Sequence, residues 1–177
     1  MIAGIAHIAR NFMNAQLGLV QAEHMMKNMT KEEMDHLLNT VGDGVLALST
    51  GDVPYCIPFG FVYLKDMVYL SLFPMGRKWE MINKNNRVCF NVFCWNDDHS
   101  EWSSVVIDGR IVQVKDLKEI ELVVKANIEK VGLDPATYLE KRMTMYRKTI
   151  DNPAALKIFR IDTERMGGKK MKTLIGS

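Results

Sequence analysis

Excess charge is the first thing this sequence lacks. The 23 Lys and Arg against 21 Asp and Glu leave a net charge of +2 over 177 residues. That is too little for the clustered basic face that nucleic acid or an anionic membrane surface usually requires, and no RNA- or DNA-binding signature accompanies it. Cysteine is also sparse. Cys56, Cys89 and Cys94 are an odd number, which does not make a disulfide framework and predicts reduced thiols in the core of a cytoplasmic protein. Long apolar runs are missing too: Met1 to Ala9 is interrupted by Arg10 and Asn11, well short of the ~20 residues of a membrane span. No basic segment precedes that run, so it does not read as a secretory leader. There is no internal repeat or low-complexity segment, and no Ser-His-Asp arrangement or carboxylate pair can be argued from the spacing.

What is present is an ordinary globular balance, 47% apolar and 25% charged, and a length that suits one domain. Residues 1–29 read as an N-terminal helical extension, with Ile5, Ile8 and Phe12 near one face and Met25, Met26 and Met29 closing it. Thr30-Lys31-Glu32-Glu33 is a capping box that opens a helix to about Asn39. Strands are expected at Val45–Ser49, Pro54–Leu64, Met67–Phe73, Arg87–Trp95, Trp102–Val114 and Leu156–Thr163, most at hairpin distances. Gly109 is a candidate bulge. A short helix follows Gly76, and two more, capped by Asp116 and by Asp134-Pro135, fall between the fifth and sixth strands. The pattern predicts an α+β fold, a six-stranded antiparallel barrel with flanking helices, over residues 30–166, with a basic tail over residues 167–177.

Two local conflicts read either as ordinary surface features, a solvated helix start and an edge strand, or as a place for a ligand. Gly76-Arg77-Lys78 places two cations at the start of a helix, where unpaired N–H groups and the dipole already carry positive charge. A phosphate there would turn the local cost into a gain, because N–H groups, guanidinium and ammonium all donate to it. In Pro54–Leu64, Pro58 cannot donate to a ladder and Gly60 has no side chain to pack. Such a strand is an edge or bulge, or leaves a backbone edge against which something flat can lie.

Taken in order, Pro-Tyr-Cys-Ile-Pro-Phe-Gly-Phe (54–61), Gly-Arg-Lys (76–78), Trp-Ser-Ser-Val-Val with the later Gly109 (102–109) and the closing Met-Gly-Gly-Lys resemble the pyridoxamine 5′-phosphate oxidase-like, FMN-binding split-barrel family. The nearer likeness is to its nitroimidazole-resistance (Nim-type) branch, from about Thr30 to Lys169. The resemblance implies a split β-barrel homodimer with FMN held noncovalently at the subunit interface. It further implies that Arg77 and Lys78 hold the FMN phosphate, with Ser103 or Ser104 adding a hydroxyl. Because strands alternate, only one of the two serines reaches it, and Ser104 is preferred. By the same resemblance the backbone of Ile57, Pro58 and Phe59 lies along the isoalloxazine, and Leu70, Ser71, Leu72 and Phe73 flank the ring and ribityl chain. Trp102 either stacks on the flavin or fills the interface. Nim-type proteins often carry a histidine where this chain has Ser71, so the resemblance does not extend to the chemistry at that position.

The function implied is that of an FMN-dependent oxidoreductase, using a reduced nicotinamide donor, NADH or NADPH, and a small-molecule acceptor, with the hydride arriving at flavin N5. A flavin-binding carrier or sensor without turnover is the alternative, as is a barrel that binds haem or a deazaflavin. No metal site is expected: Cys89 and Cys94 are five apart on one strand and point to opposite faces, and no fourth ligand joins them and His99.

Overall fold

Alternation along the strands decides how the chain closes. The computed structural model describes residues 26–172, where seven strands and four helices follow one another. They are β1 (Met26–Asn28), α1 (Lys31–Thr40), β2 (Asp43–Thr50), β3 (Val53–Leu64), β4 (Met67–Leu72), α2 (Gly76–Lys84), β5 (Arg87–Trp95), β6 (Glu101–Gln113), α3 (Leu117–Lys130), α4 (Pro135–Thr149) and β7 (Lys157–Lys172). The antiparallel sheet runs β1-β7-β4-β3-β2-β5-β6, and β7 also pairs with β6, which closes the ring. The chain is thus an α+β split barrel.

Every second residue points into the ring. Leu46 and Leu48 of β2, Val88, Phe90 and Val92 of β5, and Val105 and Ile107 of β6 are buried in one apolar interior. Burying each such side chain is worth roughly 1.5–3 kcal/mol. Helix α2 packs across one end, with the Trp79 ring edge-on to Phe159 at 5.7 Å. A second apolar layer lies outside the barrel. There Val62, Tyr69 and Ile158 meet Ile120, Val124 and Ile128 of α3 and Met143 and Tyr146 of α4.

The helix starts follow the expected chemistry. Thr30 and Glu33 form the capping box, and Asp116 and Asp134 accept from Lys118 N–H and Ala136 N–H. The bulge also falls where Gly109 predicts it, since the β6–β7 register shifts between Asp108 and Gly109. A Cβ at Gly109 would collide with the Asp162 carbonyl oxygen.

Three expectations need correction. Met26–Asn28 is strand rather than helix, because it pairs with Lys169–Met171 at the open edge of β7; the rest of the expected N-terminal helix lies outside the described residues. The last strand does not stop at Thr163 but runs to Lys172, because its pairing with β6 continues to Glu101↔Lys172. A Cβ on Gly168 would press on Met34 Cγ at 2.7 Å and Met29 Cβ at 2.9 Å. The cysteines are not core residues: Cys56 and Cys94 are exposed and Cys89 is half-buried. Cys56 and Cys89 both pair with Ala47, on the outward side of β2, so alternation turns them away from the interior. Cys94 lies on the opposite face of β5 from Cys89, as the spacing predicts.

Candidate functional site

Strand β3 changes partners partway along its length. Its register with β2 runs from Asp43↔Gly60 to Thr50↔Val53. On the other side β4 pairs only from Phe61↔Leu70 to Leu64↔Met67. The edge from Val53 to Gly60 therefore has no strand against it among the described residues. Ile57, Pro58 and Phe59 sit in the middle of that edge. Ile57 and Phe59 lean on the barrel interior, while Pro58 is exposed. The chain leaves β4 at this point through exposed Phe73 and turns into α2.

The start of α2 has the features of an anion site. Gly76 takes a φ of +71°, a conformation that glycine adopts without strain. Met75 offers no side-chain cap, and the first turn contains no acidic residue, so the N–H groups there lack the usual acceptors. Arg77 and Lys78 have no carboxylate partner among the described residues. The Arg77 guanidinium lies over the Tyr55 ring at 4.7 Å, and Lys78 Nζ donates to the Met75 carbonyl at 3.2 Å. Sequence reasoning misses Tyr55, whose one signal is its phase, in step with Ile57 and Phe59 on the inward side of β3.

Of the strand Leu70–Phe73, Leu70 and Leu72 turn into the barrel and are only 1% and 2% exposed. Their side chains cannot reach a ligand, although their backbone can flank one. Ser71 points the other way, into a cavity of about 1010 Å³ between β3, β4 and the α3–α4 pair, which Gly60 also lines. Tyr146 faces Ser71 there. Burial raises the Tyr146 phenol, and the Ser71 hydroxyl and the Arg142 guanidinium act against that shift. Arg142 donates to Asn127 Oδ1 at 2.9 Å. Lys130 donates to the carbonyls of Val41 and Phe61 at 2.8 and 2.9 Å and lies 4.1 Å from the centre of the Phe61 ring. Its burial lowers the ammonium pKa, with Asp43 partly opposing. The cavity is therefore apolar-walled with a few fixed donors, the usual composition of a small-molecule site.

Trp102, Ser103 and Ser104 lie elsewhere. Tyr55 pairs with Leu48 and Leu48 with Val88, whereas Ser104 pairs with Phe93, five residues further along β5. At about 3.3 Å per residue that is about 16 Å along the strands, besides three strand spacings across the sheet. One chain does not bring Ser104 to Arg77. Ser104 and Trp102 point outward and Ser103 inward, and Asn91 Nδ2 donates to Ser104 Oγ at 2.8 Å.

Between the two clusters stretches the outer surface of β2, β5 and β6, which none of the described helices covers. Phe93, Trp95 and Val106 on it remain 55%, 40% and 38% exposed. A hollow of about 600 Å³ at its Ser49 end is lined by Arg87, Cys89, Asp108 and Arg165 and contains none of the expected site residues. Burial pushes the Cys89 thiol up to about 11, so that thiol is not a reactive thiolate. No described helix is long and apolar enough to cross a membrane.

Comparison with known proteins agrees with this architecture. A family profile described as pyridoxamine 5′-phosphate oxidase matches residues 30–170. Among solved structures, an FAD-binding protein from Mesorhizobium loti is similar at 23% identity and a TM-score of 0.59, over 84% of this chain and 98% of that one. A putative 5-nitroimidazole antibiotic resistance protein from Bacteroides thetaiotaomicron is similar at 20% identity and a TM-score of 0.62, over 82% and 88%. A putative pyridoxamine 5′-phosphate oxidase from Corynebacterium glutamicum is similar at 19% identity and a TM-score of 0.58, over 86% and 97%. At such identities the likeness is one of fold. Among curated proteins none matches.

Proposed function

The chain belongs to the pyridoxamine 5′-phosphate oxidase-like FMN-binding split-barrel family, and from that premise we propose that it is an FMN-dependent oxidoreductase that works as a homodimer. The observation that carries the reading is the edge of β3 that no strand among the described residues covers, beside a helix start that holds Arg77 and Lys78 with no carboxylate partner among those residues. A flat ring with a phosphate tail fits both features. The donors of α2 and the two cations take the dianion, and the open edge at Ile57–Phe59 offers backbone groups to the polar rim of the ring.

The second copy follows from the separation of the two clusters. Arg77 and Lys78 lie at the barrel rim, over the inward-facing Tyr55 of β3 and off one end of the bare outer face, and Trp102 and Ser104 lie at the other end of that face. If two such faces pack about a two-fold axis midway between the clusters, each end of one copy meets the opposite end of its partner, twice. Two equal sites result, each made of Arg77 and Lys78 from one protomer and Ser104 from the other. The exposed Phe93, Trp95 and Val106 supply the apolar centre such an interface needs.

FMN supplies the hydride chemistry when bound. The chain's own contribution is binding, orientation and exclusion of water. Arg77 and Lys78 would hold the phosphate end of the cofactor, the β3 edge at Ile57–Phe59 would hold its ring, and the cavity at Ser71 offers space for a small acceptor. A cytoplasmic setting belongs to this reading, since the three cysteines are free thiols.

The test begins with purified protein. A yellow sample that releases FMN on denaturation, identified by chromatography against FAD, and a dimer in sedimentation are expected. Anaerobic NADH or NADPH should then bleach the flavin. Colourless protein that takes up no FMN overturns the proposal. Bleaching that stays at the uncatalysed rate for both donors leaves a flavin carrier in place of an enzyme.

A further inference from the structure

Two adjacent lysines at the end of β7 have opposite surroundings. Lys170 faces the inner side with Ser103, and its ammonium donates to the Glu33 carboxylate of α1. Lys169 faces the outer side. It pairs directly with Ser104 on β6 and with Asn28 on β1, is exposed, and has no carboxylate partner among the described residues. The phase is fixed by its neighbour: Gly168 pairs with fully buried Val105, and any Cβ there would press on Met29 and Met34. Residue 169 must therefore point to the bare face.

The hydrogen bonding of Ser104 adds a second observation. Its Oγ already accepts from Asn91 Nδ2 at 2.8 Å, so the one hydroxyl proton is left to donate outward. A free ammonium and a free hydroxyl thus sit side by side on neighbouring strands, with the Asn28 amide next to them. One row along, Trp102 pairs with Trp95 across the β5–β6 ladder, and this places two aromatic side chains beside the donors. With an ammonium and a hydroxyl proton both turned outward, the cluster suits an anion.

We propose that Lys169 is a cofactor-positioning residue supplied in trans: with Ser104 it closes the phosphate clamp that Arg77 and Lys78 open on the partner protomer. The inference rests on the proposed FMN dimer and assigns a residue that reading does not include. A phosphate dianion between the two copies then meets three cations, two from one chain and one from the other. Assembly and cofactor retention are thereby linked, because a separated protomer keeps only part of the clamp.

The experiment is FMN titration of the apo dimer carrying Lys169→Met, followed by flavin fluorescence quenching. Removing one charge-assisted hydrogen bond should weaken FMN about tenfold or more, with riboflavin, which lacks the phosphate, bound as tightly as by the unchanged protein. Lys169→Arg should retain most of the affinity, and Lys170→Met should leave it unchanged in any dimer that folds. Differently tagged Lys78→Met and Lys169→Met chains are then co-expressed and the mixed dimer isolated. If Lys169 acts in trans, that dimer has one intact site and one doubly impaired site, so half of the FMN binds with unchanged affinity. Two equally weakened sites would overturn the assignment, as would an unchanged FMN affinity of Lys169→Met or an equal loss for riboflavin. Failure of the unchanged protein to bind FMN at all would instead overturn the underlying reading.

Discussion

The Arg77 guanidinium lies over the Tyr55 ring, 4.7 Å from its centre, so a cation at the start of α2 is held by an aromatic on the free half of β3. The ring orients the guanidinium at the rim of the barrel, where the β3 edge and the helix start meet. A cation–π interaction at an exposed site is worth about 0.5–1 kcal/mol. Tyr55→Leu is expected to weaken FMN about two- to fivefold in fluorescence titration, while Tyr55→Phe, which keeps the ring face, stays near the unchanged protein. Equal losses in both variants would show that the phenol, not the ring, matters.

Lys78 carries a larger share. Its ammonium reaches only the Met75 carbonyl within the described residues, at 3.2 Å, and is free to turn toward a phosphate. A hydrogen bond to a charged group contributes roughly 1.5–3 kcal/mol, so Lys78→Met should lower FMN affinity by about ten- to a hundredfold. The measurement is the dissociation constant at fixed ionic strength, since the electrostatic share is screened by salt. An unchanged constant removes Lys78 from the site.

What can be read in the sequence follows the range of the forces involved. Caps at Thr30, Asp116 and Asp134 and the bulge at Gly109 are legible because each is decided by a few neighbouring residues. Strand phase is legible too, which is why Ser103 and Ser104 can be assigned to opposite faces. Pairing is not. Met26–Asn28 carries no strand signal of its own and is a strand only because β7 has an open edge. A core position suits the cysteines on composition alone, since thiols are common in cores, whereas here the face of Cys56 and Cys89 is set by the register through Ala47. Tyr55, Tyr146 and Lys169 become visible only once partners distant in sequence stand beside them.

Gly109 gives a stability test independent of any ligand. A Cβ there would meet the Asp162 carbonyl, which is backbone and cannot swing aside, and Ile161 Cγ2 at 3.0 Å. Gly109→Ala should cost about 1–3 kcal/mol, the usual range for overpacking, read as a lower urea midpoint with an unchanged slope. At Gly168 the nearest atoms to an added Cβ are side-chain atoms of Met34 and Met29, at 2.7 and 2.9 Å, rather than a backbone carbonyl, so the loss in Gly168→Ala should be the smaller of the two. The reverse order would mean that β1 and α1 hold β7 more rigidly than the bulge does.

Tyr69 links the barrel to α3, and its chemistry sets a pH dependence. Its hydroxyl donates to Glu119 Oε1 at 3.0 Å, and Arg160 Nη1 donates to the same oxygen at 2.7 Å. Burial, then the Glu119 carboxylate, pushes the phenol up to about 12 from an ordinary 10.0. The folded state therefore keeps a proton that the unfolded chain releases between pH 10 and 12, so the contribution is complete below pH 10 and is lost as pH rises through that window. Tyr69→Phe should cost about 0.5–1.5 kcal/mol at pH 8, the net worth of one hydrogen bond. It should also flatten the fall of stability above pH 10 in denaturant titrations. Tyr63 and Tyr146 shift in the same direction, so some slope persists in the variant, but a slope as steep as that of the unchanged protein would mean that Tyr69 ionises freely in the fold.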